Sequence, residues 1–173
     1  MNLPGRFLPL VFAISLGAQT STSPADSWQA LSFLQGTWQA KTGEGSTAKV
    51  TGTYTFAKEL KGHVLARHSA VAGCTGPEAF DCEHGDLLYI FEERPGQPLK
   101  AIYFDNEGHV IHYAVSTPDA TTTMFLSEPG PGPKFRLVYH LEHAVMFGKF
   151  QMQMPGQDDW KSYLEWSGSR QHE

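Results

Sequence analysis

From Thr37 onward the apolar and polar residues alternate with a period of two, in short runs separated by turn signals, and no helical period intervenes. This alternation constrains the fold more than any other feature. The runs fall at 37–41, 47–57, 62–72, 86–93, 99–105, 109–117, 121–128, 134–142, 146–154 and 160–168. Between them stand Gly43-Glu-Gly45, Arg94-Pro-Gly96, Asp105-Asn-Glu-Gly108, Pro129-Gly-Pro-Gly-Pro133 and Pro155-Gly-Gln-Asp158. Connections this short suit antiparallel neighbours and leave no room for the helical crossovers of an α/β fold. Val50, Tyr54 and Phe56 share one face, as do Leu99, Ala101 and Tyr103, and Phe135, Leu137, Tyr139 and Leu141. The opposite faces carry Thr51, Thr53, Thr55, Lys100, Arg136, Gln151 and Gln153. A sheet that is apolar on one side must bury that side, and closing on itself does so without leaving edges. The expected fold is all-β, an antiparallel up-and-down β-barrel of about ten strands. The run Asp86-Leu-Leu-Tyr-Ile-Phe91 is apolar on both faces, so its second face needs the helix or a loop over it, or stands exposed as a patch.

Ahead of the strands lies one short helix. Ser23 can cap it, Pro24 suits its first position and Asp26 follows three after the cap. Trp28, Leu31 and Leu34 then share a face, and Gly36 suits the stop. The helix is expected to close one end of the barrel. Residues 1–18, with Arg6, an apolar run from Phe7 to Leu16 and then Gly17 and Ala18, have the layout of a signal peptide and are too short in their apolar run to span a bilayer. Residues 19–26 read as linker and helix start, and 27–170 as a single domain. No cysteine follows the apolar run, so a lipid anchor is not expected. The expected location is periplasmic or secreted, with no integral membrane segment after signal removal. Cys74 and Cys82 suit a disulfide in such a compartment, against the alternative of a metal site with His84, which lacks a fourth ligand and the tight spacing of structural zinc sites. The acidic cluster Asp81, Glu83 and Asp86 reads as a solvated loop, without the ligand spacing of a calcium site.

The formal charge is −5 and no basic run occurs, which argues against nucleic acid or an anionic membrane as partner. No nucleophile elbow, phosphate loop or dinucleotide fingerprint is present, so catalysis is not the first expectation. The pairs His140 and His143, His109 and His112, and His63 and His68 each have opposite strand parity and cannot grip one ion together, so no metal site is expected. His112, with the parity of Val110 and Ala114, and His68, with that of Val64 and Ala66, could project into the lumen, and Arg67 is either a lumenal counter-charge for an acidic ligand or a solvent-facing strand residue. A lumenal acid–base enzyme, an isomerase or lyase using His112 or His68 with Arg67 and a tyrosine, is one alternative. The leading expectation is a small apolar or amphipathic ligand held by lumenal side chains, with Tyr54, Phe56, Tyr103, Met152, Met154 and Tyr163 among the candidates. The oligomeric state is not legible.

Gly36 and Trp38 on the first strand after a short helix, with Arg170 just past the last strand, resemble the calycin pattern of lipocalins and fatty-acid-binding proteins. That resemblance implies that Arg170 packs over the Trp38 indole and closes one barrel end. Phe33-Leu-Gln-Gly-Thr-Trp38, Met152-Gln-Met154 and Tyr163-Leu164 are similar to the opening and close of nitrobindin-like barrels and their bacterial relatives of unknown function. This likeness implies haem in the barrel mouth, held by a histidine just before the leucine of the final strand. Tyr163 stands at that position, so haem binding is the second alternative and no cofactor is the first expectation. The loop from Gly73 to Gly85 looks like an addition to the family plan.

Overall fold

The computed structural model describes residues 24–78 and 80–171. The expected signal peptide, most of the linker and the cap at Ser23 lie outside the described residues.

The chain forms ten strands in a closed barrel: β1 (Gly36–Thr42), β2 (Lys49–Glu59), β3 (Val64–Thr75), β4 (Asp86–Phe91), β5 (Lys100–Asp105), β6 (Val110–Asp119), β7 (Thr122–Ser127), β8 (Lys134–Glu142), β9 (Val145–Gln153) and β10 (Lys161–Arg170). Each strand pairs antiparallel with its sequence neighbours, and β1 pairs with β10 to close the ring, with Trp38 opposite Arg170. The turn chemistry accounts for the order: Gly96, Gly108 and Gly156 take positive φ in the connections, a region that costs glycine nothing.

Alternation along the strands places Trp38, Phe56, Leu65, Leu88, Ile90, Tyr113, Phe125 and Tyr139 inside, each almost wholly buried. The core concentrates at one end. There α1 (Pro24–Ala30) gives way to a 3₁₀ turn over Ser32–Leu34, so the expected single helix breaks just before its last apolar contact. Leu31 and Leu34 both fill the barrel end, and the Leu34 carbonyl accepts a 2.8 Å bond from the Trp38 indole N–H. Arg170 lies 4.3 Å above the Trp38 ring centroid, and its guanidinium donates to the carbonyls of Gln35 and Phe33. Gly36 is glycine for a local reason: at φ 108° any Cβ would sit 2.5 Å from Arg170 Nη1.

Leu87, Tyr89 and Phe91, on the outer face of β4, are each half-buried. Tyr89 is half-buried there, edge-on to Phe104 at 6.5 Å and to His68 at 6.2 Å, so the second apolar face makes a small surface patch. Among the described residues no helix is long and apolar enough to cross a membrane.

Candidate functional site

The end away from the helix is not filled. A cavity of about 570 Å³ opens between the ends of β5 and β9 and the starts of β4, β6, β8 and β10. Ile111, Tyr113, Phe135, Leu137, Phe150 and Met152 form its apolar wall, and Phe135 stacks on Phe150 with centroids 5.7 Å apart. A second cavity of about 140 Å³ lies beside it, and the two share Arg67, His84, Asp86, Leu164 and Trp166 as wall. The shared wall holds the only buried charge pair of the lumen among the described residues.

Arg67 reaches the interior from β3, donating through one nitrogen to the Tyr139 hydroxyl and through another to Asp86. Asp86 opens β4, opposite Ser69 by extension of the register that pairs His68 with Leu87, and accepts a 2.6 Å bond from the Ser69 hydroxyl. Burial alone would raise the Asp86 carboxyl, yet the Arg67 guanidinium, with help from His84 and Ser69, holds it well below the usual carboxylate range. Burial likewise opposes the charge on Arg67, and Asp86 together with Tyr139 and Tyr103 outweighs it. His84 stands 3.5 Å from Asp86 through Nε2, bonds the Tyr103 hydroxyl at 3.1 Å through the same nitrogen, and meets Glu107 at 3.2 Å through Nδ1. The bond to Asp86 raises its pKa against the effect of burial. Tyr103 donates onward to Asp105 at 3.3 Å, and burial together with Asp86 and Asp105 pushes its hydroxyl up, so it stays neutral.

Besides the Thr123 hydroxyl, three buried donors, all on residues that line the cavities, lack a partner of acceptable geometry among the described residues. They are Arg67 Nε, Trp166 Nε1 and the Tyr54 hydroxyl. The last two lie close enough for the indole to favour the ionised phenol, but they do not meet as a hydrogen bond, and burial holds the Tyr54 pKa up. A buried polar group left unpaired costs about 1–3 kcal/mol. Trp166 itself is locked in place: a Cβ on Gly148 would fall 2.0 Å from its ring, so only glycine lets β9 pass beneath the indole.

The Cys74–Cys82 disulfide forms, with Cα atoms 5.5 Å apart, and leaves His84 free of both sulfurs, which removes the metal-site alternative built on those three residues. The loop it braces is tied to the β5–β6 turn by Gly85 N–H donating to Asn106 Oδ1 at 2.9 Å and Asn106 N–H donating to the Gly85 carbonyl at 3.0 Å. Phe80, Asp81 and His84 of that loop all line the larger cavity. Asp81, His84 and Glu107 present ligand atoms within 4.8 Å of one another, the one such cluster able to grip a cation among the described residues.

The expected lumenal residues divide. Arg67 and Tyr103 line the larger cavity, Tyr54 lines the smaller one, and Met152 lines the larger one near its mouth. Phe56 faces inward but is packed in the closed end, where its ring meets Tyr139 edge-on at 5.3 Å. His68 is a correction: its side chain is 48% exposed and bonds Glu59 on the outer surface, because the inward parity of β3 belongs to Leu65 and Arg67. His112 is exposed for the same reason, Ile111 and Tyr113 taking the inward positions of β6. Met154 lies past the end of β9 and is exposed. Tyr163 sits at a register shift between Ser162 and Leu164 and is 67% exposed, yet it lines the larger cavity at its rim, edge-on to Phe150. Asp86 corrects the reading of its cluster as a solvated loop, since it is the first inward residue of β4.

This distribution does not fit the haem site that the family resemblance implies. The side chain at position 163 is turned mostly outward, and both histidines of the mouth are held by carboxylates, His84 by Asp86 and Glu107 and His109 by Asp105 at 2.8 Å. The sequence missed His84, Asp86, Tyr139 and Trp166 as neighbours. Parity with Leu88 and Ile90 was the available signal for Asp86, whereas nothing local places a loop histidine over a barrel mouth.

The geometry therefore defines a class: a closed ten-stranded up-and-down barrel, plugged at one end and hollow at the other. No family model matches the chain, and no curated protein matches it. Among solved structures, Rv2717c from M. tuberculosis shares the fold, with a TM-score of 0.55 at 16% identity over 84% of this chain and 98% of that one. At that identity the likeness carries the fold alone.

Proposed function

We propose that this protein is an exported, calycin-like binding barrel that holds a small amphipathic molecule in its open half. The observation that carries the reading is the cavity of about 570 Å³, walled by aromatic side chains and methionine and backed by a small set of polar groups. Ligand sites usually occupy about 300–1,000 Å³ and combine apolar walls with few polar anchors. The disulfide supports an oxidising compartment, as does the apolar N-terminal run followed by small residues. The reading needs no prosthetic group and no catalytic step.

Its test is binding by the purified protein. The neutral fluorophore phenylnaphthylamine should bind with a blue shift and enhanced emission, and Met152→Trp, which fills the mouth from a half-buried position, should weaken it by about tenfold or more with an unchanged melting temperature. Mass spectrometry of extracts from the natively purified protein should show a co-purified small molecule. If neither the fluorophore nor medium-chain amphiphiles bind at millimolar concentration, the cavity is not a ligand site.

A further inference from the structure

The mouth of the larger cavity has two unlike sides. Phe135, Phe150, Met152 and Tyr163, from β8, β9 and β10, make one of them apolar. The other is acidic, with Asp81 from the disulfide-braced loop, Asp105 at the end of β5 and Glu107 in the β5–β6 turn. With Asp86, four carboxylates line the cavity, against three groups able to carry positive charge, Arg67, His84 and His109. The lining is therefore net negative even with both imidazoles protonated, and the apolar wall beside it concentrates that field in the opening.

These carboxylates differ in what they can still accept. Asp86 is neutralised by Arg67 inside the wall. Burial would raise the Asp105 carboxyl, but bonds from the His109 backbone and ring hold it below its ordinary value, and its side chain is only 5% exposed. Asp81 and Glu107 are within reach of a solute, the first half-buried and the second with a side chain 44% exposed. Asp81 accepts from the Glu83 N–H at 2.8 Å and the Asn106 amide at 3.5 Å, while Glu107 meets the His84 ring at 3.2 Å and the His109 ring at 3.8 Å. A carboxylate has about four lone-pair sites, so both keep spare acceptors. An oxygen of Asp81 and one of Glu107 lie within 4.8 Å of each other, so the two converge on one place in the lip.

The cavity makes this a binding site, and the lip decides the charge of what enters. An anion would meet like charge at the opening, and a neutral guest would leave the field unanswered. An alkylammonium group carries three N–H donors and no acceptor, and like a lysine side chain it is protonated at neutral pH. Its chain can follow the aromatic wall inward, and aromatic faces tolerate a cation well. We propose that Asp81 and Glu107 form an ammonium subsite, and that the ligand of this barrel is a cationic amphiphile with its amine at the lip and its apolar body against Phe135, Phe150 and Met152. The inference rests on the binding reading above and names the chemical class it leaves open.

The test is a series of equal chain length, nonylamine, 1-nonanol and nonanoate, titrated into the purified protein by calorimetry at neutral pH. EDTA is present throughout, so that no metal ion bridges the lip. The amine should bind about tenfold tighter than the alcohol, as for hydrogen bonds to charged groups, and the acid should bind weakest. Raising the ionic strength from about 0.01 M to about 1 M shortens the screening length about tenfold and should bring amine and alcohol together. Asp81→Asn combined with Glu107→Gln should do the same at low salt and leave the alcohol little changed. Glu142→Gln, which removes a charge at the plugged end, should keep the preference for the amine. Where the double variant does not fold, the salt dependence of the wild type decides the matter. An amine bound no tighter than the alcohol, a tighter-bound acid, or a preference indifferent to salt or kept by the folded double variant overturns the ammonium subsite and leaves the binding barrel standing. Absence of binding by all three removes both.

Discussion

Arg67 is the residue around which the hollow half of the molecule is arranged. A charged group this buried survives only with a partner, and Asp86 supplies it, while Tyr139 and Ser69 satisfy the flanking positions. Because the pair is internally neutral, Arg67 is no free counter-charge for an acidic ligand. His84 extends the pair to the surface, and its raised pKa makes stability depend on pH in a definite direction. Below about pH 6.5, the ordinary imidazole value, both folded and unfolded chains hold the proton and the contacts to Asp86 and Glu107 contribute fully. As pH rises past that value the unfolded chain loses the proton first, so stability falls until the folded-state value is passed. Urea midpoints of the wild type should therefore decline over this window more steeply than those of His84→Gln. Parallel profiles would show that His84 is not coupled to its carboxylates. The Asp86 contribution has the opposite sense: it is present above the usual carboxylate range, falls away as acid protonates the unfolded chain first, and is gone once the folded state is protonated.

At the scale of elements, the disulfide-braced loop between β3 and β4 matters more than its composition suggests. It reads as an insertion, yet it brings Phe80, Asp81 and His84 over the cavity. The bridge closes a loop with a sequence separation of 8, which on the chain-entropy view stabilises the fold by about 2–3 kcal/mol. Replacing both cysteines by serine should lower the unfolding free energy by that amount in urea titrations, and should also weaken phenylnaphthylamine binding. Loss of stability with unchanged binding would separate the loop from the cavity. The same scale explains Tyr163. A register shift in β10 between Ser162 and Leu164 leaves Tyr163 without a partner on β9, directly before the inward Leu164, so its side chain stands at the rim and mostly outside.

For the whole molecule the two ends divide the labour. The helix, Leu31, Leu34 and Trp38 make a packed plug with Arg170 over it, and the other half keeps its space. Trp38→Ala should cost about 3–5 kcal/mol, as for a large aromatic removed from a core, measured by two-state denaturant unfolding. A change near zero would mean that the indole does not seal the barrel. The hollow half leaves polar groups unpaired and apolar wall in contact with solvent, so it contributes less to stability than the plugged half, and a bound guest should raise the melting temperature with the logarithm of its concentration above Kd.

The period-two pattern and its turn signals were sufficient for the ten strands, their antiparallel order and the closure, because alternation and short connections are local properties and a one-sided sheet has few ways to bury itself. The Gly36, Trp38 and Arg170 contact was legible through its family resemblance, and the cysteine pairing through compartment and spacing. What only the tertiary structure decided is the site. Parity alone cannot fix which of two neighbouring residues faces inward when both are plausible, and so Arg67 faces the lumen where His68 does not, and Tyr113 where His112 does not. Barrel closure brings Tyr139 and Trp166 to Arg67 across the lumen, and a loop with no period of its own carries His84 to Asp86. Such contacts depend on barrel radius, strand stagger and loop path, which are properties of the closed sheet and not of any stretch of the chain.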